Sequence, residues 1–233
     1  MSMLDDLYLP DRKRLTTMIT GRPGSGKSFF LKNTLTEFLK KNKDPSLRVV
    51  YFCPKQEMEL GDKNLVSSYD LEKHLRKNRL AVVYPSPFTL EEECDYCVDL
   101  MFDIQQANPD FKAVFIVDDA QIFLSSRKQA SNSLKRLALT GRSKGIRFVA
   151  VSHTMVFSKD LEGSTSYIVN FTMPVKLYHR DSMIRYGFDP EPYVEALSEV
   201  PYSYVFFDVT KSSSRLMQPL EIKAKGKKQS IPS

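Results

Sequence analysis

Residues 21–28 read Gly21-Arg22-Pro23-Gly24-Ser25-Gly26-Lys27-Ser28, and no other stretch of the chain narrows its fold so far. The run fits G-x-x-x-x-G-K-[ST] at every fixed position. An apolar segment, Leu15 to Thr20, leads in, and an amphipathic one from about Ser28 to Lys41 leads out. The octet therefore sits where a strand turns into a helix, and such a turn holds phosphate. Glycines let backbone N–H groups close around an anion with no Cβ in the way. The helix N-terminus adds the positive end of its dipole. In this pattern Lys27 reaches the β- and γ-phosphates and Ser28 offers its hydroxyl to Mg²⁺. Gly21, Arg22, Pro23, Gly24, Ser25, Gly26 and Phe29 complete the expected nucleotide cradle.

A cation held by phosphates and a hydroxyl needs a carboxylate nearby. Val114-Phe115-Ile116-Val117-Asp118-Asp119 ends an uninterrupted apolar strand in two acids. At the carboxyl end of a strand beside the phosphate loop, Asp118 would hold the metal, usually through water. Asp119 has two readings: it polarises a water for in-line attack on the γ-phosphorus, or it caps the following turn. Two further strands are expected between Lys27 and Asp118, so the metal strand is not the next one in sequence. A base-reading Asn-Lys-x-Asp is missing where a guanine switch needs it.

Gly141-Arg142-Ser143-Lys144-Gly145-Ile146-Arg147 then runs into Phe148-Val149-Ala150-Val151-Ser152-His153-Thr154. The tip of the strand after the metal strand lies close to the γ-phosphate in sheets of this kind, which makes His153 either a phosphate sensor or a structural residue. Arg142, in the turn before that strand, could neutralise transition-state charge on a nucleotide held by a neighbouring subunit. A surface ion pair is the other reading, and Arg147 or Arg136 could take the same role.

Strand and helix signals alternate elsewhere too. Strands are expected at Arg48 to Cys53, Leu80 to Tyr84, Ala113 to Val117, Tyr167 to Phe171 and Tyr202 to Val209. Helices are expected at Leu71 to Asn78, from Thr89 as cap through Ile104, at Lys128 to Thr140 with Gly141 as its stop, and at Glu191 to Ser198. This pattern gives one α/β domain, residues 1–210, with a mostly parallel central sheet flanked by helices. Residues 211–233 form a basic, flexible tail: from Lys211 onward six Lys/Arg face a single acid, Glu221. Most of the net charge of +6 lies there. Such a tail can clamp phosphate backbones or simply keep the chain in solution.

Cys94 and Cys97 have a CxxC spacing. They share an apolar helical stripe with Leu90, Val98, Met101 and Ile104, which favours core packing over metal binding. Three cysteines fit a reducing compartment rather than a disulfide scaffold. No apolar run approaches the roughly 20 residues of a membrane span, and no secretory signal opens the chain.

GRPGSGKS, VFIVDDA and TGRSKGIRFVAVSHT together resemble the FtsK–HerA superfamily of P-loop ATPases, over about Leu15 to Phe171. Within it they are most similar to the small genome-packaging ATPases of double-stranded DNA viruses. The resemblance implies a P-loop NTPase fold of the RecA/ASCE type, with ATP and Mg²⁺ as cofactors. It also implies a homo-oligomeric ring, hexamer or pentamer, that threads double-stranded DNA while hydrolysing ATP between subunits. A capsid vertex or portal-like viral component is the expected partner, and a virion or the infected host cell cytoplasm the expected location. Lys27, Asp119, His153 and Arg142 carry the expected catalytic roles, with Ser28 and Asp118 at the metal. His153 stands where the family usually has Gln, and Asp119 where it often has Glu. The family's pore loops are too variable to transfer; DNA contacts are expected in Lys55 to Asn64 and the tail. Rival readings are a helicase, a conjugation or secretion motor, and a nucleotide-binding virion assembly protein. A small-molecule kinase lacks an Arg-rich lid.

Overall fold

The computed structural model describes residues 2–11, 16–56, 60–124, 130–154, 163–171, 181, 183–189 and 191–220. A nine-stranded sheet runs in the order β3-β4-β2-β5-β6-β1-β7-β8-β9. Its strands are β1 (Thr16–Thr20), β2 (Leu47–Phe52), β3 (Leu65–Val66), β4 (Leu80–Val83) and β5 (Lys112–Val117), then β6 (Ile146–Ser152), β7 (Thr165–Asn170), β8 (Tyr204–Asp208) and β9 (Ser213–Met217). From β3 to β7 every neighbouring pair is parallel; β8 and β9 add antiparallel to the β7 edge. The α/β reading with a mostly parallel sheet holds.

Helices cover both faces. On one side α1 (Met3–Tyr8) and α2 (Lys27–Lys41) pack on Ile19, Val49, Tyr51, Val114, Ile116 and Val149. On the other, α4 (Leu90–Ala107), α6 (Asn132–Thr140) and the short α3 (Leu71–Leu75) pack on Val50, Phe52, Ala113, Phe115, Val117 and Phe148. The two sets alternate along β2 and β5, as a strand's period of two requires. Burial on both faces explains why these strands read as unbroken apolar runs. Cys94 and Cys97 lie fully buried within the second layer, and burial pushes both thiols up. They are core residues. The short α5 (Gln121–Leu124) follows β5, and α7 (Val194–Glu199) precedes β8.

Several local readings need correction. The boundary at residue 210 falls inside the sheet, because β9 pairs with β8 from Ser213 to Met217. Its alternation (Ser, Ser, Arg, Leu, Met) is too short and polar to signal a strand before a partner edge exists. Thr89 occupies the position before α4, but its hydroxyl donates to Glu93 rather than capping a backbone N–H. Glu93 is itself buried and also accepts from Ser68 Oγ and Ser86 N. Gly141 does end α6, as its C-cap after Thr140, but at φ −51° rather than in a left-handed turn; the chain then runs as a 3₁₀ turn to Lys144, and Gly145, at φ +68°, turns it into β6. Gly141 is required by space, since a Cβ there would meet the Ile146 carbonyl at 2.8 Å. The helix expected from Lys128 starts later, at Asn132: Ala130 and Ser131 are not helical, and Ser131 Oγ caps α6 by accepting from Leu134 N. Leu15, residues 128–129 and the tail's last four lysines lie outside the described residues.

Candidate functional site

The carboxyl ends of β1, β5 and β6 lie side by side, because Thr20 pairs with Ser152 and Val117 with Ala150 in parallel register. Three loops therefore open at one end of the sheet, which is where α/β sheets bind ligands. Pro23, Gly24, Ser25, Gly26, Lys27, Ser28, Phe29, Lys55, Asp118, Asp119, His153 and Tyr202 line the cleft between them, a cavity of about 320 Å³.

Residues 21–26 form the turn. Gly24 and Gly26 adopt φ of +76° and +98°, which a Cβ would strain. Gly26 also lies under the Tyr202 ring, where an added Cβ would come within 3.0 Å of Cδ1. Helix α2 begins at Lys27 with Gly26 as its cap, and no side chain satisfies its first backbone N–H groups. The helix dipole and those N–H groups face the cleft. Ser25 Oγ is buried without a hydrogen-bond partner among the described residues. Lys27 is buried too, its ammonium donating to the carbonyls of Gly21 and Arg22. Burial lowers its pKa to about 8, against the pull of Asp118 and Asp119. Orphaned donors and a desolvated ammonium are what an anion at this position would satisfy.

The acid pair closes the opposite wall. Asp118 follows β5; its backbone N–H donates to the Phe52 carbonyl at 3.0 Å, and its carboxylate accepts from Tyr51 Oη at 2.8 Å and from Asp119 N at 2.9 Å. Burial first, and the Asp119 charge with it, raise its pKa. A carboxylate so placed fits a cation. Among the described residues no group of three His, Cys, Asp or Glu is arranged to hold a metal ion by itself. A cation beside Asp118 would draw its remaining ligands from Ser28 and phosphate oxygens, the ligand set that suits Mg²⁺.

Asp119 is 2% exposed and sits at φ +49°, a left-handed conformation unusual for a residue with a side chain. It does not cap the next turn. Its carboxylate lies 2.9 Å from Lys55 Nζ and 2.9 Å from His153 Nε2, and it accepts from Gln121 Nε2 at 3.0 Å. Lys55 Nζ and His153 Nε2 are 3.1 Å apart. The Gln121 carboxamide also accepts from His153 N at 3.3 Å. A glutamine thus does stand at the tip of β6, but it comes from α5.

Sequence reasoning missed Lys55, Gln121 and Tyr202. Lys55, expected in a DNA-contacting loop, points into this cleft. Its only signal was its place just beyond the end of an apolar strand. Arg142, by contrast, is exposed in the 3₁₀ turn before β6. That puts it at the other end of this strand of seven residues, roughly 20 Å from the cleft of its own chain. Arg147 is buried, donating to Asp6 O, Leu7 O and Thr17 Oγ1, so it cannot act on a neighbour. Arg136 covers the Phe102 ring at 3.9 Å and lies 3.8 Å from Asp99.

The arrangement of sheet, loop and acid pair can be compared with solved structures. The genome-packaging NTPase B204 from Sulfolobus turreted icosahedral virus 2, in complex with ATP-γS, superposes with a TM-score of 0.68. It covers 90% of this chain and 98% of its own at 15% identity. This chain has the fold of a P-loop NTPase. B204, the DNA-packaging ATPase from Sulfolobus turreted icosahedral virus, gives 0.65 at 16% identity, covering 91% and 100%. The cytoplasmic domain of the type VII secretion ATPase EccC from Thermomonospora curvata gives 0.54 at 17%; the match covers 92% of this chain and 26% of that one. No family model matches the sequence, and no curated protein does.

Proposed function

We propose that this chain is an ATP-hydrolysing motor that translocates double-stranded DNA, packaging a viral genome into a capsid. One observation carries the reading: a buried second acid, Asp119, faces the phosphate loop beside the cation-binding Asp118. Simple nucleotide binding has no use for it. The backbone turn of residues 21–26 and the α2 N-terminus hold the β-phosphate. Lys27 leaves the Gly21 and Arg22 carbonyls for the γ-phosphate, and Ser28 with Asp118 would hold Mg²⁺. That cation, when bound, neutralises phosphate charge and orients the terminal group. Asp119 orients and deprotonates the attacking water, and His153 lies where it can report the γ-phosphate. Lys55 and His153 engage the Asp119 carboxylate in this ligand-free arrangement, so a triphosphate must compete for Lys55 before Asp119 can act.

Arg142 lies too far from its own cleft to serve it; in this reading it serves a neighbour's, in a ring of hexamer or pentamer type. The basic segment beyond β9 would follow the DNA backbone. We place this motor at a capsid vertex, in the virion or infected cell; no described helix is long and apolar enough to cross a membrane. The fold likeness to EccC favours a secretion motor as the second reading. The deciding experiment is ATP hydrolysis with and without duplex DNA, beside a mass measurement of the assembled state. A DNA-stimulated ring supports packaging. A monomer indifferent to DNA overturns it.

A further inference from the structure

Beside the phosphate cleft, on the side of β1 away from the acid pair, lies a second cavity of about 340 Å³. Phe29, Phe30, Phe171, Tyr202 and Tyr204 form most of its lining, and Leu220 closes it. Phe30, Phe171 and Tyr204 are buried and pack ring on ring at centroid distances of 4.9 to 5.4 Å, making a fixed floor. The rims differ. Phe29 is 43% exposed and Tyr202 61%, large rings that the core does not need. Among the described residues, the lining offers no charged or amide side chain, and the Tyr204 hydroxyl is turned away toward Met3 Sδ at 3.6 Å.

Continuity fixes what belongs there. Gly26, Phe29 and Tyr202 line both this cavity and the phosphate cleft, so the two are one groove with a shared waist. Asp118, Asp119 and His153 set the γ-phosphate end at the tips of β5 and β6. A nucleotide laid along the loop therefore sends its base the opposite way, toward β7 and β8, where Phe171 and Tyr204 stand. We infer that this cavity takes the base of the nucleoside triphosphate, held by stacking against Phe29 and Tyr202 rather than by hydrogen bonds to its edge. The inference rests on the nucleotide reading of the phosphate loop. Every base has a π-face, so a stacking site tolerates base identity; ATP and GTP should bind alike.

The test compares binding of ATP, GTP and inorganic tripolyphosphate, all with Mg²⁺, to the full chain and to Phe29→Ala, Tyr202→Ala, Tyr202→Phe and Lys27→Ala. The wild type is expected to favour both nucleotides over tripolyphosphate and to bind the two within about threefold. Each alanine variant should lower the nucleotide-to-tripolyphosphate affinity ratio by roughly tenfold, while Tyr202→Phe keeps it. Lys27→Ala should weaken all three ligands together. Ratios unchanged in both alanine variants would overturn the inference, and so would rejection of GTP by a protein that binds ATP. A wild type that binds tripolyphosphate as tightly as ATP also removes the base site while leaving the phosphate loop standing. Binding of none of the three ligands instead removes the nucleotide reading itself, and the base site with it.

Discussion

At the scale of single residues, the cleft depends on backbone shapes that few side chains permit. Gly26→Ala places a methyl group 3.0 Å from the Tyr202 ring in a left-handed turn. We expect it to lower stability by about 1–3 kcal/mol and ATP affinity at least tenfold, read by thermal melting and titration of the same sample. The phosphate loop and both acids were legible in the sequence because each depends on short-range spacing. Lys55 and Tyr202 were not, because they meet Asp119 and Gly26 only after the sheet brings their loops together; Gln121, two residues from Asp119, carried no pattern of its own to mark it. The β2 tip reaches the β5 tip through parallel register, and no local pattern encodes that. His153 had two readings in sequence; its ring lies against Asp119, which places it in the cleft and leaves its role to experiment.

Among the secondary-structure elements, six of the seven parallel strands and the two flanking layers were readable from unbroken apolar runs and helical spacing; β3, only two residues long, was not. Of the antiparallel edge, β8 was legible as the apolar run within Tyr202 to Val209, but β9 was missed, since it has no apolar face of its own. So was α1, a single short helix tied down from afar by Arg147, whose guanidinium donates to Asp6 O and Leu7 O. Arg147→Met should therefore cost about 2–4 kcal/mol of unfolding free energy, because it strands buried carbonyls, while ATP turnover per folded molecule is kept. Denaturant titration beside an activity assay reads both. The starts of β2 and β5 are joined by Lys112 and Asp44, 2.7 Å apart. Lys112, with Ser46, lowers the Asp44 pKa from 3.8 to about 2. Its folded value lies below its unfolded one, so its contribution is complete above about pH 4 and fades as pH falls toward 2. Melting of wild type against Asp44→Asn should show a gap that narrows across that window. Both side chains are partly exposed, so the gap is expected to stay below about 1 kcal/mol at neutral pH and to shrink with salt.

For the molecule as a whole, the proposed motor needs a second chain to complete each site. Arg142 stands at the far end of β6 from the cleft, so Arg142→Ala should keep nucleotide affinity and lose turnover by about 10³-fold. Mixing it with Asp119→Asn, which lacks the acid but keeps the arginine, should restore part of the activity. Additive, uncomplemented rates in the mixture would contradict action of Arg142 on a neighbour's site. The most direct test of the account is γ-phosphate release in a single turnover, wild type against Asp119→Asn, with duplex DNA present. The account predicts that the variant binds ATP within about threefold of wild type and cleaves it at least about 100-fold more slowly. Cleavage at the wild-type rate would contradict it, because the acid facing the phosphate loop would then have no part in the chemistry.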